Sequence, residues 1–235
     1  ESVRRLLAGH DLVDGWLPGR AVDDHRPDLS AALAGVGWSE LPAAGEDALP
    51  FIGAAAVEMG RAVAPFIDVV SVLGGSPSVQ GLAMYGASLG VHLVSLAGTS
   101  TAVAGPAQRM AAWETATVGY LAGLADSSVS RAIDHARHRQ VFGRTLAQIE
   151  TVQQRLADAA TVSDSLVLAA HEGASGLAAL AHATGAVGGV MTHCHQVLGA
   201  IGFTIEFPMQ RYSRRAKAIA SFANAWIDQR LDAEA

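Results

Sequence analysis

The chain has one cysteine, few aromatic residues and few charges, and each shortage excludes a class of protein. Cys194 alone can form neither a disulfide framework nor a cysteine-based zinc site, and a single thiol fits a reducing, cytoplasmic setting. Aromatic residues make up 6% and charged residues 16% of the 235 positions, whereas 50% are hydrophobic. The net charge of −6 argues against an electrostatic nucleic-acid binder, which needs a basic face. This composition favours closely packed helices with small residues at their contacts.

Charge is missing altogether from residues 69–108 and 173–205, which contain no Asp, Glu, Lys or Arg. Glycines interrupt both stretches, so neither forms the compact run of large apolar residues that predicts a membrane span. We expect these segments to be buried within the protein or against another subunit, which predicts an oligomer. The polar start of the chain, ESVRR, predicts no signal peptide.

The hydrophobic periodicity predicts a mainly all-α protein in three parts. Residues 1–73 are predicted to form an N-terminal helical domain, with a loop at GWSELPAAGEDALPF and a helix over residues 49–62. Residues 74–106 mix β-forming residues with Gly and Ser, which predicts a small β segment. Residues 107–235 are predicted to form an antiparallel four-helix bundle, because four long helical patterns follow one another with short connections. These patterns cover residues 108–138, 146–171, 175–198 and 209–231.

Two motifs in the C-terminal part carry a family resemblance. The first is RQVFG at residues 139–143, followed on the next helix by Leu-Ala-Asp at 156–158. The second is QVLGAIGF at residues 196–203, followed by Glu206, Pro208 and the segment RRAK at 214–217. In this order and spacing the two motifs resemble the signatures of the acyl-CoA dehydrogenase family. The phrase AVEMGRAVAP at residues 56–65 also resembles a helix of that family's N-terminal domain.

The resemblance implies a flavoenzyme fold with an N-terminal helical domain, a central β domain and a C-terminal four-helix bundle. It implies FAD as cofactor and an acyl thioester of CoA or of a carrier protein as substrate. By the family's pattern, the Arg139 guanidinium reaches an FAD pyrophosphate held by a neighbouring subunit, and Phe142 packs near the cofactor. The loop that contains Gln196, Gly199 and Gly202 approaches the adenine end. Without the resemblance, Arg139 is better explained as a helix-end arginine that bonds the last carbonyl groups.

The chain departs from the family's pattern at three cofactor positions. Val141 replaces a polar residue before the Phe-Gly pair, and Ala200 replaces the second glycine of a Gly-Gly pair. Glu150 stands where the family has a glutamine, and it brings a negative charge toward a diphosphate, which Coulomb's law disfavours. The β segment is a further departure, since about thirty residues stand where the family has a β domain that encloses the flavin ring.

The catalytic base is absent from both positions where the family carries a glutamate. Those positions are Ala223 and, in a minority of members, Trp113. Glu114 is adjacent to the second position and is the predicted catalytic residue, although one helical step rotates a side chain by about 100 degrees.

Other polar clusters leave alternatives open. His182, His193 and His195 invite a metal-site interpretation, but two histidines at i and i+2 of a helix point apart, so we predict no metal.

Two functional hypotheses remain for the chain as a whole. The chain is a dehydrogenase subunit that shares a flavin site in a homo-oligomer or with a fuller homologue. Alternatively, it is a flavin-independent descendant, either a structural subunit or a lyase or cyclase that reuses the cavity.

Overall fold

The computed structural model describes residues 2–9, 27–66, 69, 72, 84–85, 91–92 and 107–234. Helices dominate these residues, and the prediction of a mainly all-α protein with a C-terminal four-helix bundle is confirmed. No helix in the described ranges is long and apolar enough to cross a membrane. The predicted domain boundaries at 73/74 and 106/107 stay a prediction.

Three α-helices and one 3₁₀ segment form the described N-terminal part. They are α1 (Ser2–Ala8), α2 (Pro27–Gly35), the 3₁₀ segment Trp38–Ala48 and α3 (Leu49–Arg61). The loop predicted at residues 37–51 is wrong over Trp38–Ala48, which forms 3₁₀ turns. Trp38, Pro42 and Ala48 are buried there, and this burial stabilises the turns despite the proline. Gly45, at φ 78°, is the single kink within it.

A short antiparallel pair lies within the predicted β segment. Strands β1 (Met84–Tyr85) and β2 (Val91–His92) pair with Met84 opposite His92. The rest of residues 74–106 lies outside the described residues.

The C-terminal part consists of four long helices with short connections. They are α4 (Ala107–His138), α5 (Glu150–His171), α6 (Leu177–Leu198) and α7 (Met209–Glu234), each within a few residues of its predicted span. A hairpin of β3 (Gln140–Val141) and β4 (Arg144–Thr145) joins α4 to α5, followed by the 3₁₀ turn Leu146–Gln148. The 3₁₀ turn Gly199–Phe203 follows α6.

Helix α4 is the centre of the fold, since every residue from 112 to 125 is buried. It contacts α3 on one side and α5, α6 and α7 on the others. Glycines allow the backbones of α3 and α4 to touch: a Cβ atom added at Gly123 would lie 2.0 Å from the Val57 carbonyl oxygen, and one at Gly60 would lie 2.1 Å from the Tyr120 carbonyl oxygen. Because residues 112–125 of α4 have no side that faces solvent, this stretch packs against other helices all round.

Candidate functional site

The hairpin after α4 displays the first predicted cofactor residues on the surface. Phe142 and Gly143 form its two-residue turn with φ angles of 50° and 78°, the pattern of a type I′ turn. The turn leaves Phe142 97% exposed. Arg139 precedes the hairpin and is also exposed; its backbone N–H donates to the His135 carbonyl at 2.8 Å, which continues α4 by one residue. The chain itself therefore covers neither side chain.

The end of α6 carries the second predicted group. Gln196 lies in its last turn, where its Oε1 accepts a hydrogen bond from the Arg155 guanidinium of α5. Gly199 ends the helix at φ 63°, and a Cβ atom there would meet nothing within 4 Å, so its backbone is open to a ligand. Gly202 is buried instead, because a Cβ atom there would lie 3.0 Å from the Leu198 Cβ and 3.1 Å from the His195 Nδ1.

A cavity of about 720 Å³ lies between α6 and α7. This volume is in the range of small-molecule sites. Small and apolar groups supply most of its surface, and eight of its fifteen lining residues have polar side chains. The lining residues are Thr184, Val187, Gly188, Met191, Thr192, His195, Gln196, Gly199, Phe203, Ser213, Ala216, Lys217, Ala220, Ser221 and Asn224. Gln196 and Gly199 line it, whereas Arg139, Phe142, Gly202 and Glu114 do not.

Two features of the cavity were missed by the sequence analysis. The His195 and Phe203 rings stack at 4.4 Å with an angle of 20° between their planes, next to Gln196. Burial lowers the pKa of the His195 imidazole, which favours the neutral ring. Elsewhere on the lining, the Thr184 hydroxyl donates to the Asn224 side-chain oxygen at 2.8 Å. The spacing of residues 184, 188, 191 and 195 along α6 was the signal available in the sequence, since these residues share one helix face.

Glu114, the predicted base, has a structural partner. It is only 6% exposed, and its Oε2 accepts a hydrogen bond from the Gly176 backbone N–H at 2.8 Å. Gly176 immediately precedes α6, so the carboxylate holds the turn between α5 and α6 against α4. The Thr115 hydroxyl donates to the Gly173 carbonyl at 3.4 Å in the same turn.

We expect Glu114→Ala to lower the free energy of unfolding by about 1–3 kcal/mol, because it leaves the Gly176 N–H without its acceptor. Glu114→Gln keeps an acceptor oxygen and is the matched control with a smaller loss. Urea unfolding of both variants measures the difference. Equal stability of Glu114→Ala and the unchanged chain would show that the carboxylate contributes nothing here and is available for other chemistry.

Core packing occupies the two positions that the resemblance matches to a glutamate base. Trp113 is fully buried, with its ring centroid 4.3 Å from that of Trp226 and 5.8 Å from that of Phe222. Ala223 is also fully buried. In the described structure these positions belong to an aromatic cluster that joins α4 to α7.

The remaining candidates are a metal site, a second cavity and the single cysteine. Within the described ranges no group of three or more His, Cys, Asp or Glu side chains could hold a metal ion. A second cavity of about 560 Å³ is lined by Ser127, Ser130, Arg131, Asp134, His135, His138 and Phe207. Burial raises the pKa of the Cys194 thiol to about 12, so this cysteine is an unreactive core residue.

Comparisons with known proteins agree with these motifs. Residues 107–223 match the family model for the acyl-CoA dehydrogenase C-terminal domain. The mitochondrial short-chain specific acyl-CoA dehydrogenase of Rattus norvegicus is 30% identical over 121 residues, which cover 46% of this chain and 29% of that protein. The cyclohex-1-ene-1-carbonyl-CoA dehydrogenase of Syntrophus aciditrophicus (strain SB) is 29% identical over 107 residues, covering 40% of this chain and 26% of that protein.

A solved structure resembles the fold over nearly the whole chain. The structure named Tcur3481-Tcur3483 steroid ACAD G363A variant aligns with a TM-score of 0.62 and 16% identity, covering 99% of this chain and 96% of that one. At this identity the likeness shows the fold alone. The matches to the two curated relatives above span less than a third of their lengths.

Proposed function

The chain belongs to the acyl-CoA dehydrogenase family through its C-terminal domain, and from that premise we propose that it is a subunit of an FAD-dependent enzyme that dehydrogenates an acyl thioester. The thioester is carried by CoA or by a carrier protein. The flavin site is shared with a second subunit, either another copy of this chain or a fuller homologue. The solved structure of similar fold is named as a Tcur3481-Tcur3483 pair, and we propose a two-chain arrangement of that kind here.

The exposed hairpin is the single observation that carries this proposal. A phenylalanine at φ 50° carries about 1 kcal/mol of backbone strain. Because the Phe142 side chain is 97% exposed, burial of its ring does not offset this strain. The Phe142 ring on an outward turn and the exposed Arg139 guanidinium just before the same hairpin lie where another molecule can cover them. Phe203, 70% exposed on the lining of the cavity, is a second uncovered aromatic ring.

The residues present fit one end of a dinucleotide. Arg139 offers a guanidinium that can donate two parallel hydrogen bonds to phosphate oxygens. The open backbone of Gly199 and the amide of Gln196 offer close approach and hydrogen bonds at the adenine end. FAD, when bound, supplies the acceptor for the hydride that leaves the β-carbon while a carboxylate removes the α-proton.

The carboxylate that removes the α-proton is the catalytic group for which this chain has the weakest candidate. Glu114 is its own candidate, but to reach a substrate the carboxylate would have to release the Gly176 N–H. Because another copy of this chain would lack the base as well, we place the base on a fuller homologue and assign this chain the role of binding and orienting the dinucleotide. Dehydrogenase activity then requires both subunits.

The decisive measurement is the visible absorption spectrum of the purified protein. We expect the chain to be colourless alone and yellow when it is purified together with the product of a neighbouring dehydrogenase gene. Arg139→Gln in the yellow preparation should weaken FAD binding by about 10- to 100-fold, because a charge-assisted hydrogen bond to phosphate is worth about 1.5–3 kcal/mol. Folding should be unchanged, since Arg139 is exposed. FAD binding unaffected by Arg139→Gln would contradict the assigned role.

The packed core favours a second candidate function. Trp113 and Ala223 are both buried where a base is expected, which suits a flavin-independent descendant of the fold. This would be a structural subunit, or a lyase or cyclase that uses the cavity between α6 and α7. Preparations that stay colourless in every combination, and that bind no added FAD, support this second function against the first.

A further inference from the structure

We propose that Arg155 is a positioning residue for the dinucleotide, because it orients the Gln196 amide and adds a positive charge to the helix that carries Glu150. This inference rests on the proposed flavin site and adds to it a residue that no family motif assigned. Arg155 follows Glu150 by five positions on α5, and both side chains are exposed. The hydrogen bond from the Arg155 guanidinium connects this part of α5 to Gln196 at the end of α6.

Glu150 has a local structural reason to be acidic. It is the first residue of α5, where a carboxylate interacts favourably with the positive end of the helix dipole. The same charge repels a phosphate group nearby. Arg139 and Arg144 are exposed in and beside the preceding hairpin, and Arg155 adds a further positive charge to the helix that carries Glu150.

Arg155 also determines what Gln196 can offer to a ligand. A side-chain amide has one acceptor oxygen and one donor nitrogen. Because the Gln196 Oε1 accepts the Arg155 hydrogen bond, its Nε2 is the amide group left to donate to a ligand in the cavity that Gln196 and Gly199 line. Donors are the groups that a phosphate, a ribose oxygen or an adenine ring nitrogen requires. Arg155 therefore acts both through its charge and by orienting the Gln196 amide.

A mutant cycle on the yellow preparation tests this role. FAD dissociation constants are measured from the quenching of FAD fluorescence for Arg155→Gln, Glu150→Gln and the double variant. We expect Arg155→Gln to weaken binding about tenfold and Glu150→Gln to strengthen it severalfold, with the double variant between the two because the Gln196 amide is no longer oriented. Arg155→Lys keeps the charge and a donor, and should restore most of the affinity. The matched control is Arg5→Gln, which removes one exposed arginine from α1.

Two further readouts separate positioning from a structural role. The loss caused by Arg155→Gln should shrink at high salt, because exposed charges are screened there, and the melting temperature should not change. FAD binding equal to that of Arg5→Gln overturns the role of Arg155 and leaves the flavin site intact. A loss of binding that accompanies a lowered melting temperature overturns it as well. An assembly that binds no FAD at all refutes the proposed function, and this inference with it.

Discussion

Gly123→Ala is expected to prevent the chain from folding stably, although alanine is the better helix former. The added Cβ atom would lie 2.0 Å from the Val57 carbonyl oxygen and 2.8 Å from the Arg61 backbone nitrogen. Both are backbone atoms of α3, so no side chain can rotate away to make room. Relief requires moving α3 away from α4, which disrupts the most extensive helix contact in the fold. We expect a loss of at least about 3 kcal/mol, at or beyond the upper end of ordinary overpacking.

The matched control is Gly189→Ala on α6. Gly189 is also a helical glycine, but a Cβ atom there meets nothing within 4 Å. The substitution should raise the free energy of unfolding by about 0.5–1 kcal/mol, because alanine loses less conformational entropy in a helix. Urea unfolding of the isolated chain, followed by circular dichroism, measures both variants. Equal stability of the two would show that α3 and α4 lie further apart than described.

These glycines show how far periodicity can predict packing. Small residues stand at positions 116, 119, 122 and 123 of α4, a pattern that allows another helix to approach closely, and the structure identifies α3 as that helix. The sequence could not name the partner, because the contact joins residues sixty or more positions apart. The bundle helices were predicted to within a few residues, since helical periodicity is a local property of the sequence.

The candidate site was predicted only in part, for the same physical reason. The motifs identified Arg139, Phe142 and Gln196 by their order in the chain, which requires no knowledge of contacts. The cavity between α6 and α7 depends on how two helices lie against each other, and the partners of Glu114 and Gln196 lie 62 and 41 positions away. The 3₁₀ segment Trp38–Ala48 was predicted as a loop because proline and glycine signals do not show which side chains will be buried.

The aromatic cluster leads to the second large expected effect, for Trp113→Glu. This substitution returns a carboxylate to a position that the family's pattern matches to the base. It removes a fully buried ring in contact with Phe222 and Trp226, and truncating such a ring costs about 3–5 kcal/mol. The carboxylate would also lie in apolar surroundings, where an unpaired charge is strongly disfavoured. We expect the isolated chain to lose most or all of its stability in urea unfolding.

Trp113→Phe is the control, since it keeps an aromatic ring against Phe222 and Trp226 and should cost much less. If Trp113→Glu instead folds as well as Trp113→Phe, the space around position 113 admits a solvated carboxylate, and this chain can host a base. The yellow assembly would then be expected to gain dehydrogenase activity from the substitution. A collapse of Trp113→Glu alone means that the cluster has replaced the catalytic group with core packing. In that case position 113 cannot supply the base of the proposed assembly, because a carboxylate there unfolds the chain.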